Sequence, residues 1–536
     1  MQRMKPADRN IQWEPRLFGL LCVVALLPVW LYPGFLTADG PCHVYNAGIL
    51  YDLLHGKGAF YTQYYELNTS PEPNWFSHAF LVGALHMVSG AVAEKILISL
   101  CLLAFAVGFR ALLHRLAEHR SLLSLWIFPF LWQAALLMGF YNYMASIGMG
   151  LGLAAWYMGH KEALRGRNLF IMALGGTLLF FMHLVGCFVL LALCGLWTLL
   201  QRRDILRKLG SLTLAASPML VLTAYYILHS PKGEPVAAPA TGTLLSNLNN
   251  LRSLFGLSHM DTVLSMKMSF VLQAMLALAL ISFFIRKPRH TVALPLAMLA
   301  LLLSAYFLCG SSLLGGSYIH TRLEALVYVF SLLVTGYAAM GRYLRLAVGA
   351  CGVFFSLAFV AGKISSFSHI EIFHKEMQEA GTRIPSRSVV LPLNFQPYLY
   401  SPQGELINRG TLLFSHIAER INQNKQLILL DNYEAATGYF PLNWLAAKNP
   451  FVHLAAGTGL EEEPLKAPIA YYHQHHEPIN YIILWGINEQ TTADPLYPEF
   501  ARQLSAYLLI HTSPVYGIRV YRYAGDHRQA PTGTPR

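Results

Sequence analysis

Long apolar runs alternate with short polar segments over residues 1–362 of this chain. The first run covers residues 17–32 and the last covers residues 346–362. A helix needs about 20 mostly apolar residues to cross the hydrocarbon core of a bilayer, and about eleven such spans fit the pattern. The sequence therefore predicts an α-helical polytopic membrane protein.

The pattern changes after residue 362. From there the apolar runs have the length of strands, among them SVVLPL, QLILL, YIILW and GIRVYRY, and they alternate with helix-like stretches such as IEIFHKEMQEA and ARQLSAYLL. Short apolar runs between helical patterns are typical of an α/β fold. We therefore predict two domains, a membrane domain at 1–362 and an α/β domain at 363–536.

Basic residues collect in the segments between apolar runs, which is the pattern of cytoplasmic loops. These segments are 110–120, 161–167, 202–208, 286–289 and 342–345. All of them lie on one side only if the apolar stretch 76–109 makes one net crossing. The N-terminus is then cytoplasmic, the first external loop covers 33–75, and the α/β domain lies outside the cytoplasm. The basic N-terminus lacks a cleavage site after the first apolar run, which predicts an uncleaved first span.

Composition narrows the class of protein further. Only 12% of the residues are charged and 55% are hydrophobic, whereas soluble proteins carry about 25% charged residues. The net charge is +11, but no basic stripe with interleaved aromatic residues appears, so nucleic acid is not expected as a partner. The cysteines suggest no disulfide framework. We expect a multi-pass protein of a bacterial inner membrane with a periplasmic C-terminal domain.

Asp39 and His43 follow the first span directly, on the predicted outer face. Asp39 precedes Gly40 and Pro41, and an acidic residue before such a pair is typical of a helix N-cap. A carboxylate fixed beside an imidazole is also a candidate general base or metal ligand. Both interpretations of Asp39 remain open on the sequence alone.

Arg322 lies at the predicted outer end of a late span, next to His320. An arginine there can bind a lipid phosphate through two parallel hydrogen bonds, or it can be an interfacial residue paired with Glu324. Further substrate-binding candidates are His183, whose alternative is a buried core histidine; Asn142 and Tyr141, whose alternative is helix capping; and Lys267 and Arg252 in the polar segment 229–267.

Two C-terminal segments also contain groups with possible chemical roles. The run YYHQHHEP has histidines at 473, 475 and 476, but their spacing fits no zinc pattern and favours an exposed turn. The segment DNYEAATGYFPLNW, at 431–444, either packs as an aromatic connection, which we favour, or faces a cavity and helps to bind a substrate.

Several motifs resemble the GT-C superfamily of polytopic glycosyltransferases. They are TADGPCHVYNAG, PEPNWFSHAFLVGAL, GFYNYMASIGMGLGLAAW, FFMHLVG and YIHTRLEALVYV. The resemblance covers the membrane domain and implies a GT-C-like fold that uses lipid-phosphate-linked sugars at the outer face. It also implies that Asp39, in the first external loop, is a catalytic base or binds a divalent metal such as Mg or Mn. Many members carry two adjacent acidic residues there, whereas Asp39 has only His43 nearby.

These observations predict a glycosyltransferase that moves a sugar from a polyprenyl-phosphate donor to an envelope glycan, lipid or protein acceptor. Asp39 and His43 are the predicted catalytic residues, and membrane lipids are the expected surroundings. One alternative is a non-catalytic envelope scaffold. The other is a lipid or polysaccharide transporter, which is typically recognised by ionisable residues at mid-membrane and by broken helices in related halves.

Overall fold

The computed structural model describes residues 13–525 except for 118–120, 161, 230–235, 256–258, 397, 399–400, 402–406, 408–410, 423–424 and 455–462. The basic N-terminal segment that we predict to be cytoplasmic lies outside the described residues as far as Gln12. So do parts of the predicted polar segment 229–267.

The described chain is mainly helical up to residue 382. Its helices there are α1 (Glu14–Leu31), α2 (Gly40–Leu54), α3 (Phe76–Ala84), α4 (Gly90–Leu116), α5 (Ile127–Leu131), α6 (Ala134–Leu137), α7 (Tyr141–Tyr157), α8 (Gly166–Met182), α9 (Leu184–Gln201), α10 (Ile205–His229), α11 (Thr241–Asn250), α12 (Arg252–Phe255), α13 (His259–Ile285), α14 (Ala293–Leu308), α15 (Ile319–Thr335) and α16 (Arg342–Thr382). Short 3-10 turns include Ser121–Trp126 and His290–Val292.

Every predicted span falls on one of these helical segments. Seven described helical segments are long and apolar enough to cross a membrane, and two shorter apolar segments, Leu122–Leu137 and Gly166–Met182, accompany them. The structure is therefore that of a helical membrane protein with several spans. A total of about eleven remains a prediction.

The ambiguous stretch 76–109 contains one short and one long helix. Helix α3 has 9 residues and α4 has 27. At 1.5 Å per residue α3 extends only about 14 Å, which is too short to cross the hydrocarbon core. This geometry agrees with the single crossing that the basic loops predict.

Helix α16 passes through the predicted domain boundary at 362/363 without a break. It has 41 residues, which is about 60 Å of helix. Its buried residues past the boundary include Lys363, Phe367, Ile370, Phe373 and Met377, a spacing of three and four that keeps one face buried. The change at residue 363 is therefore one of polarity and not of secondary structure, and the division into two domains there stays a prediction.

The described strands form two sheets, and all of these strands except β1 lie after α16. The strands are β1 (Tyr65–Leu67), β2 (Val389–Asn394), β3 (Ile428–Leu429), β4 (Leu442–Trp444), β5 (Tyr481–Trp485), β6 (Tyr507–Thr512) and β7 (Arg519–Tyr523). The larger sheet has the order β3-β2-β5-β7-β6, with β2 parallel to β3 and β5, and with β7 antiparallel to β5 and β6. The helices of this part are α17 (Glu434–Thr437), α18 (Pro450–His453), α19 (Ile469–His475), α20 (Glu489–Ala493) and α21 (Tyr497–Leu504), with a 3-10 segment at Ile417–Asn422.

The smaller sheet joins the first external loop to the C-terminal part. Strand β1 pairs antiparallel with β4, with Glu66 opposite Asn443. The rings of Tyr65 and Trp444 pack beside this ladder with centroids 4.3 Å apart. The predicted first loop and the predicted second domain therefore share one packed layer beside α2.

Candidate functional site

Asp39 immediately precedes α2, but its side chain does not cap the helix. No side-chain cap bond is present at Asp39; instead the Gly40 N–H donates to Thr37 Oγ1 at 3.1 Å. The predicted capping role for the Asp39 carboxylate is therefore wrong. Because Thr37 satisfies the helix start, the Asp39 side chain can point elsewhere, and it borders a cavity.

The backbone at Asp39 is held by the segment that precedes α7. The N–H groups of Ala38 and Asp39 donate to the carbonyls of Leu137 and Met138 at 2.8 and 3.1 Å. Gly139 follows with φ +90°, and a Cβ built there would lie 3.0 Å from the Asp39 Cβ. Only glycine adopts this conformation without strain, so the sequence GF before α7 is what lets these two segments approach.

The cavity has a volume of about 460 Å³. Its lining includes five of the predicted candidates, Asp39, His43, Asn142, His183 and Arg322. Residues from the C-terminal part complete it, among them His416, Asp431, Tyr433, Tyr439 and Phe440. The cavity thus forms between the helical region and the segments that follow α16.

His183 is the single residue between α8 and α9, and it caps α9. Its Nδ1 accepts from the Val185 N–H at 3.1 Å. Burial, with the nearby charge of Arg322, holds the pKa of His183 well below its usual range, so the ring is neutral and carries one N–H. That proton is on Nε2 if the helix cap is kept.

Arg322 faces His183 across the cavity wall. Its Nη1 lies at hydrogen-bond distance from His183 Nε2, 2.9 Å away. Because a guanidinium only donates, this bond requires an acceptor at Nε2, whereas the cap of α9 requires one at Nδ1, so the two contacts need different tautomers of His183. The guanidinium lies over the Phe140 ring at 4.4 Å, and among the described residues its Nε has no hydrogen-bond partner. A buried guanidinium at a cavity forms a site that favours an anionic oxygen.

Arg322 does not pair with Glu324, which was the alternative to phosphate binding. Among the described residues, the carboxylate of Glu324 accepts from Ser253 Oγ at 2.5 Å. The two side chains therefore have different contacts: Glu324 bonds to a residue of another helix, and Arg322 lies at the cavity.

His43 lies one turn into α2 and contacts the buried carboxylate of Glu434. Its Nε2 donates to the Gly139 carbonyl at 3.1 Å, and its Nδ1 forms an ion-pair contact with Glu434. His78 Nε2 lies 3.0 Å from the other oxygen of Glu434. Burial lowers the pKa of His43, but the charges of Glu434 and Asp39 outweigh it and raise that pKa to about 9. Burial raises the pKa of Glu434, but the two histidines bring it far below its usual range.

His416 stands next to Asp39 at the cavity. Its Nε2 lies 4.0 Å from Asp39 Oδ1, and its Nδ1 lies 3.1 Å from Glu419 Oε1. A carboxylate on Nδ1 fixes the ring and leaves Nε2 as the acceptor in the neutral form. Glu419, His416 and Asp39 thus form a row of carboxylate, imidazole and carboxylate groups, with Asp39 at the cavity.

The other predicted site residues have different surroundings. The Tyr141 hydroxyl is buried and donates to Glu94 at 2.8 Å, so it does not face the cavity. Asn142 borders the cavity, but its Oδ1 accepts from the Ser77 N–H at 2.8 Å and thereby caps α3. His320 packs against Tyr306. Lys267 and Arg252 are exposed, and Lys267 lies inside α13 and not in a loop.

The histidines of YYHQHHEP lie on α19 and just after it, and none belongs to a convergent metal-ligand group among the described residues. The segment 431–444 borders the cavity through Asp431, Tyr433, Tyr439 and Phe440, contrary to the packing interpretation that we favoured. His416 and Glu434 were missed, and the only sequence signal for Glu434 was this density of acids and aromatics.

Two groups of described residues could hold a metal ion, with ligand atoms within 4.8 Å of one another: Cys42, His416 and Glu419, and His43, His78 and Glu434. Asp39 belongs to neither group. Mg and Mn prefer oxygen ligands, so the metal site that the family resemblance implies at Asp39 lacks a converging ligand set among the described residues.

No family model matches this chain, and no curated protein matches it in sequence. Solved structures of arabinofuranosyltransferase AftD from Mycobacteria are similar to it. One has 14% identity and a TM-score of 0.44 and covers 96% of this chain and 40% of that chain. A mutant of the same enzyme has 13% identity and a TM-score of 0.46, over 95% of this chain and 41% of that chain. The chain thus spans about two-fifths of the length of these structures.

Proposed function

We propose that this chain is a membrane glycosyltransferase that moves a sugar from a polyprenyl-phosphate-linked donor to an acceptor hydroxyl. The observation that carries the proposal is the distribution of chemistry in one cavity. Asp39 and His416 offer hydrogen-bond acceptors, whereas Arg322, which contacts His183, offers donors to an anion. An acceptor hydroxyl and a phosphate leaving group need these two environments on either side of a sugar.

The reaction in this arrangement is a single displacement at the anomeric carbon. Asp39 takes the proton of the acceptor hydroxyl as its oxygen forms the new bond to that carbon. The bond between the carbon and the phosphate oxygen breaks, and its electron pair leaves with the lipid phosphate. Arg322, held by His183, donates to that phosphate and stabilises its added charge. This interaction is strongest in a site shielded from water.

His416 acts as a positioning residue for Asp39. Its Nε2 is 4.0 Å from the Asp39 carboxylate, a distance that a hydroxyl or a water can bridge. Because Glu419 fixes Nδ1, the ring keeps one orientation and presents Nε2 to the Asp39 side of the cavity. In other carboxylate–histidine pairs, too, the carboxylate holds the imidazole ring in one orientation.

The expected surroundings follow from the charge pattern of the sequence. We infer that the cavity opens at the outer face of a bacterial inner membrane, with the N-terminus in the cytoplasm and residues after α16 in the periplasm. The donor is then a lipid within the outer leaflet, and the acceptor is an envelope glycan, lipid or protein.

Replacing the base tests the proposal directly. In Asp39→Asn we expect transfer to fall by about 10²- to 10⁴-fold, the usual contribution of a general base. The readout is the mass spectrum of envelope glycans and lipids in cells that carry only the variant, at membrane levels matched by immunoblot. Asp204→Asn is the control, because Asp204 is exposed and lies outside the cavity. Identical envelope profiles for the wild type, the deletion strain and Asp39→Asn would contradict the proposal that this chain is a glycosyltransferase.

A further inference from the structure

Three ligating side chains converge one layer behind the cavity wall, and we propose that they bind a zinc-class divalent cation. The site consists of His43 Nδ1, His78 Nε2 and the carboxylate of Glu434. It is separate from the metal that the family resemblance implies at Asp39, and it does not rest on the proposed transfer reaction.

The ligands come from three distant parts of the chain. His43 lies in α2, His78 in α3 and Glu434 at the start of α17. The ligand atoms all lie within 4.8 Å of one another, and the three residues are buried. Side chains of this kind rarely gather in a dry interior unless they are paired or hold a metal.

The donor and acceptor pattern around the group fits a cation at its centre. The His43 Nε2–H donates to the Gly139 carbonyl, which leaves Nδ1 directed at Glu434. His43 Nδ1 contacts Glu434 Oε1, and His78 Nε2 lies 3.0 Å from Glu434 Oε2. A divalent cation would displace the proton that His43 holds towards the carboxylate and bind the freed lone pair, because a histidine must be neutral to ligate a metal.

Supporting hydrogen bonds are present for each ligand. Gly139 holds His43, Ser77 Oγ lies 3.4 Å from His78 Nδ1, and Asn46 Nδ2 donates to Glu434 Oε2 at 2.7 Å. Ligating histidines usually donate their second N–H to a carbonyl, carboxylate or hydroxyl, and ligating carboxylates are themselves hydrogen-bonded. The immediate surroundings of a metal site are therefore already in place.

The ligand set selects the type of metal. Two imidazoles and one carboxylate are typical of zinc with a fourth position for water, whereas Mg and Ca prefer oxygen ligands. His43 borders the cavity, so a water in the fourth position has a route of entry. A metal there would fix the segment that contains Asp431 and Tyr433 against α2 and α3.

Metal analysis of the full-length protein in detergent tests the site. We expect about one zinc per chain by inductively coupled plasma mass spectrometry, and a stripped sample titrated with Co²⁺ should develop the visible bands of a tetrahedral N/O site. Ser77→Ala and Asn46→Ala should weaken binding by about 10- to 100-fold, the usual effect of removing such a supporting group. Neither variant removes a ligand, so both test the site even if a Glu434 variant fails to fold.

Two controls separate this site from its neighbours. His416→Gln changes the other convergent group and should leave the metal content unchanged; loss of metal there with retention in His78→Gln would overturn the assignment. Wild-type protein that contains no metal and develops no Co²⁺ bands would also overturn it. Asp39→Asn should lower transfer by about 10²- to 10⁴-fold and retain the metal, so failure of the reaction and failure of the metal site are distinguishable.

Discussion

Gly139 combines a left-handed backbone with a close approach to Asp39. Its φ is +90°, and an added Cβ would lie 3.0 Å from the Asp39 Cβ and 3.1 Å from the Gly40 nitrogen. In Gly139→Ala we expect a loss of about 1–3 kcal/mol in the free energy of unfolding from the backbone strain, together with lower transfer because Asp39 must shift.

Gly48→Ala is the matched control for that variant. Gly48 lies within α2, and a Cβ there would meet nothing within 4 Å. Alanine should stabilise the helix by up to about 1 kcal/mol. Thermal unfolding in detergent and the envelope glycan assay report both effects; equal behaviour of the two variants would contradict the role of Gly139.

Arg322 gives the sharpest test of phosphate recognition. The wild type should bind farnesyl phosphate, a short polyprenyl phosphate, more tightly than farnesol. Arg322→Gln should lose about 10- to 100-fold of the affinity for the phosphate, since a hydrogen bond to a charged group contributes about 1.5–3 kcal/mol. Affinity for farnesol should barely change.

Arg322→Lys and Arg252→Gln complete this comparison, with calorimetric titration as the measurement. Lysine keeps the charge but loses the planar fork and its stacking on Phe140, so it should restore only part of the affinity. Arg252 is exposed and lies outside the cavity, and its variant should bind as the wild type does. Equal affinities for the phosphate in all variants would contradict the anion site.

Helix α4 is fixed to the C-terminal part by a buried ion pair between Glu94 and Arg420. The Tyr141 hydroxyl donates to Glu94 at 2.8 Å, and Arg420 also donates to the Phe35 carbonyl at 3.2 Å. Glu94→Leu should cost about 3–5 kcal/mol, because it leaves a buried guanidinium unpaired. The double change Glu94→Leu with Arg420→Met should recover much of that loss.

The surface pair Glu499 and Arg502 is the control for this cycle. Both side chains are largely exposed, so Glu499→Gln should change stability by less than about 1 kcal/mol. Denaturation followed by a fluorescent cysteine probe would compare the variants, since several cysteines are buried. Strict additivity of the two single changes would show that Glu94 and Arg420 do not couple.

The sequence predicted elements better than it predicted contacts between them. Apolar runs located the helices, and the basic loops favoured one crossing at 76–109, where α3 is indeed too short to span. Because periodicity is local, it identified the polarity change at residue 363 but missed that α16 continues through it. It left open whether Asp39 caps α2, and spacing alone did not show that Thr37, two residues earlier, accepts from the first N–H of that helix.

In the molecule as a whole, residues from the N-terminal part and from the C-terminal part of the chain meet at the cavity. Asp39 meets His416, and His43 meets Glu434, across more than 370 residues. No sequence spacing reports such pairs, so only one side of the cavity could be predicted. Asp39, His43, His183 and Arg322 were named from the outer-face pattern, whereas their C-terminal partners were not.

The β1–β4 ladder offers a test of how the two ends meet. Glu66 and Asn443 are opposite each other in this antiparallel pair, where Cα atoms are about 4.5–5.5 Å apart, within the range for a disulfide. The double variant Glu66→Cys and Asn443→Cys should form a disulfide on oxidation, detected as a linked peptide by mass spectrometry. Neither single variant should give this product, and its absence in the double variant would contradict the pairing.

Because α16 is one continuous helix, its length sets the rotational orientation of the large sheet relative to the helical region. A helix turns by about 100° for each residue, and α16 contains no break between its apolar and amphipathic halves. One residue inserted after Lys363 would therefore rotate the large sheet about the helix axis, and β4 would no longer face β1. The number of residues in α16 therefore sets the orientation of the large sheet as well as its distance from the helical region. The yield of the engineered disulfide would report the misalignment.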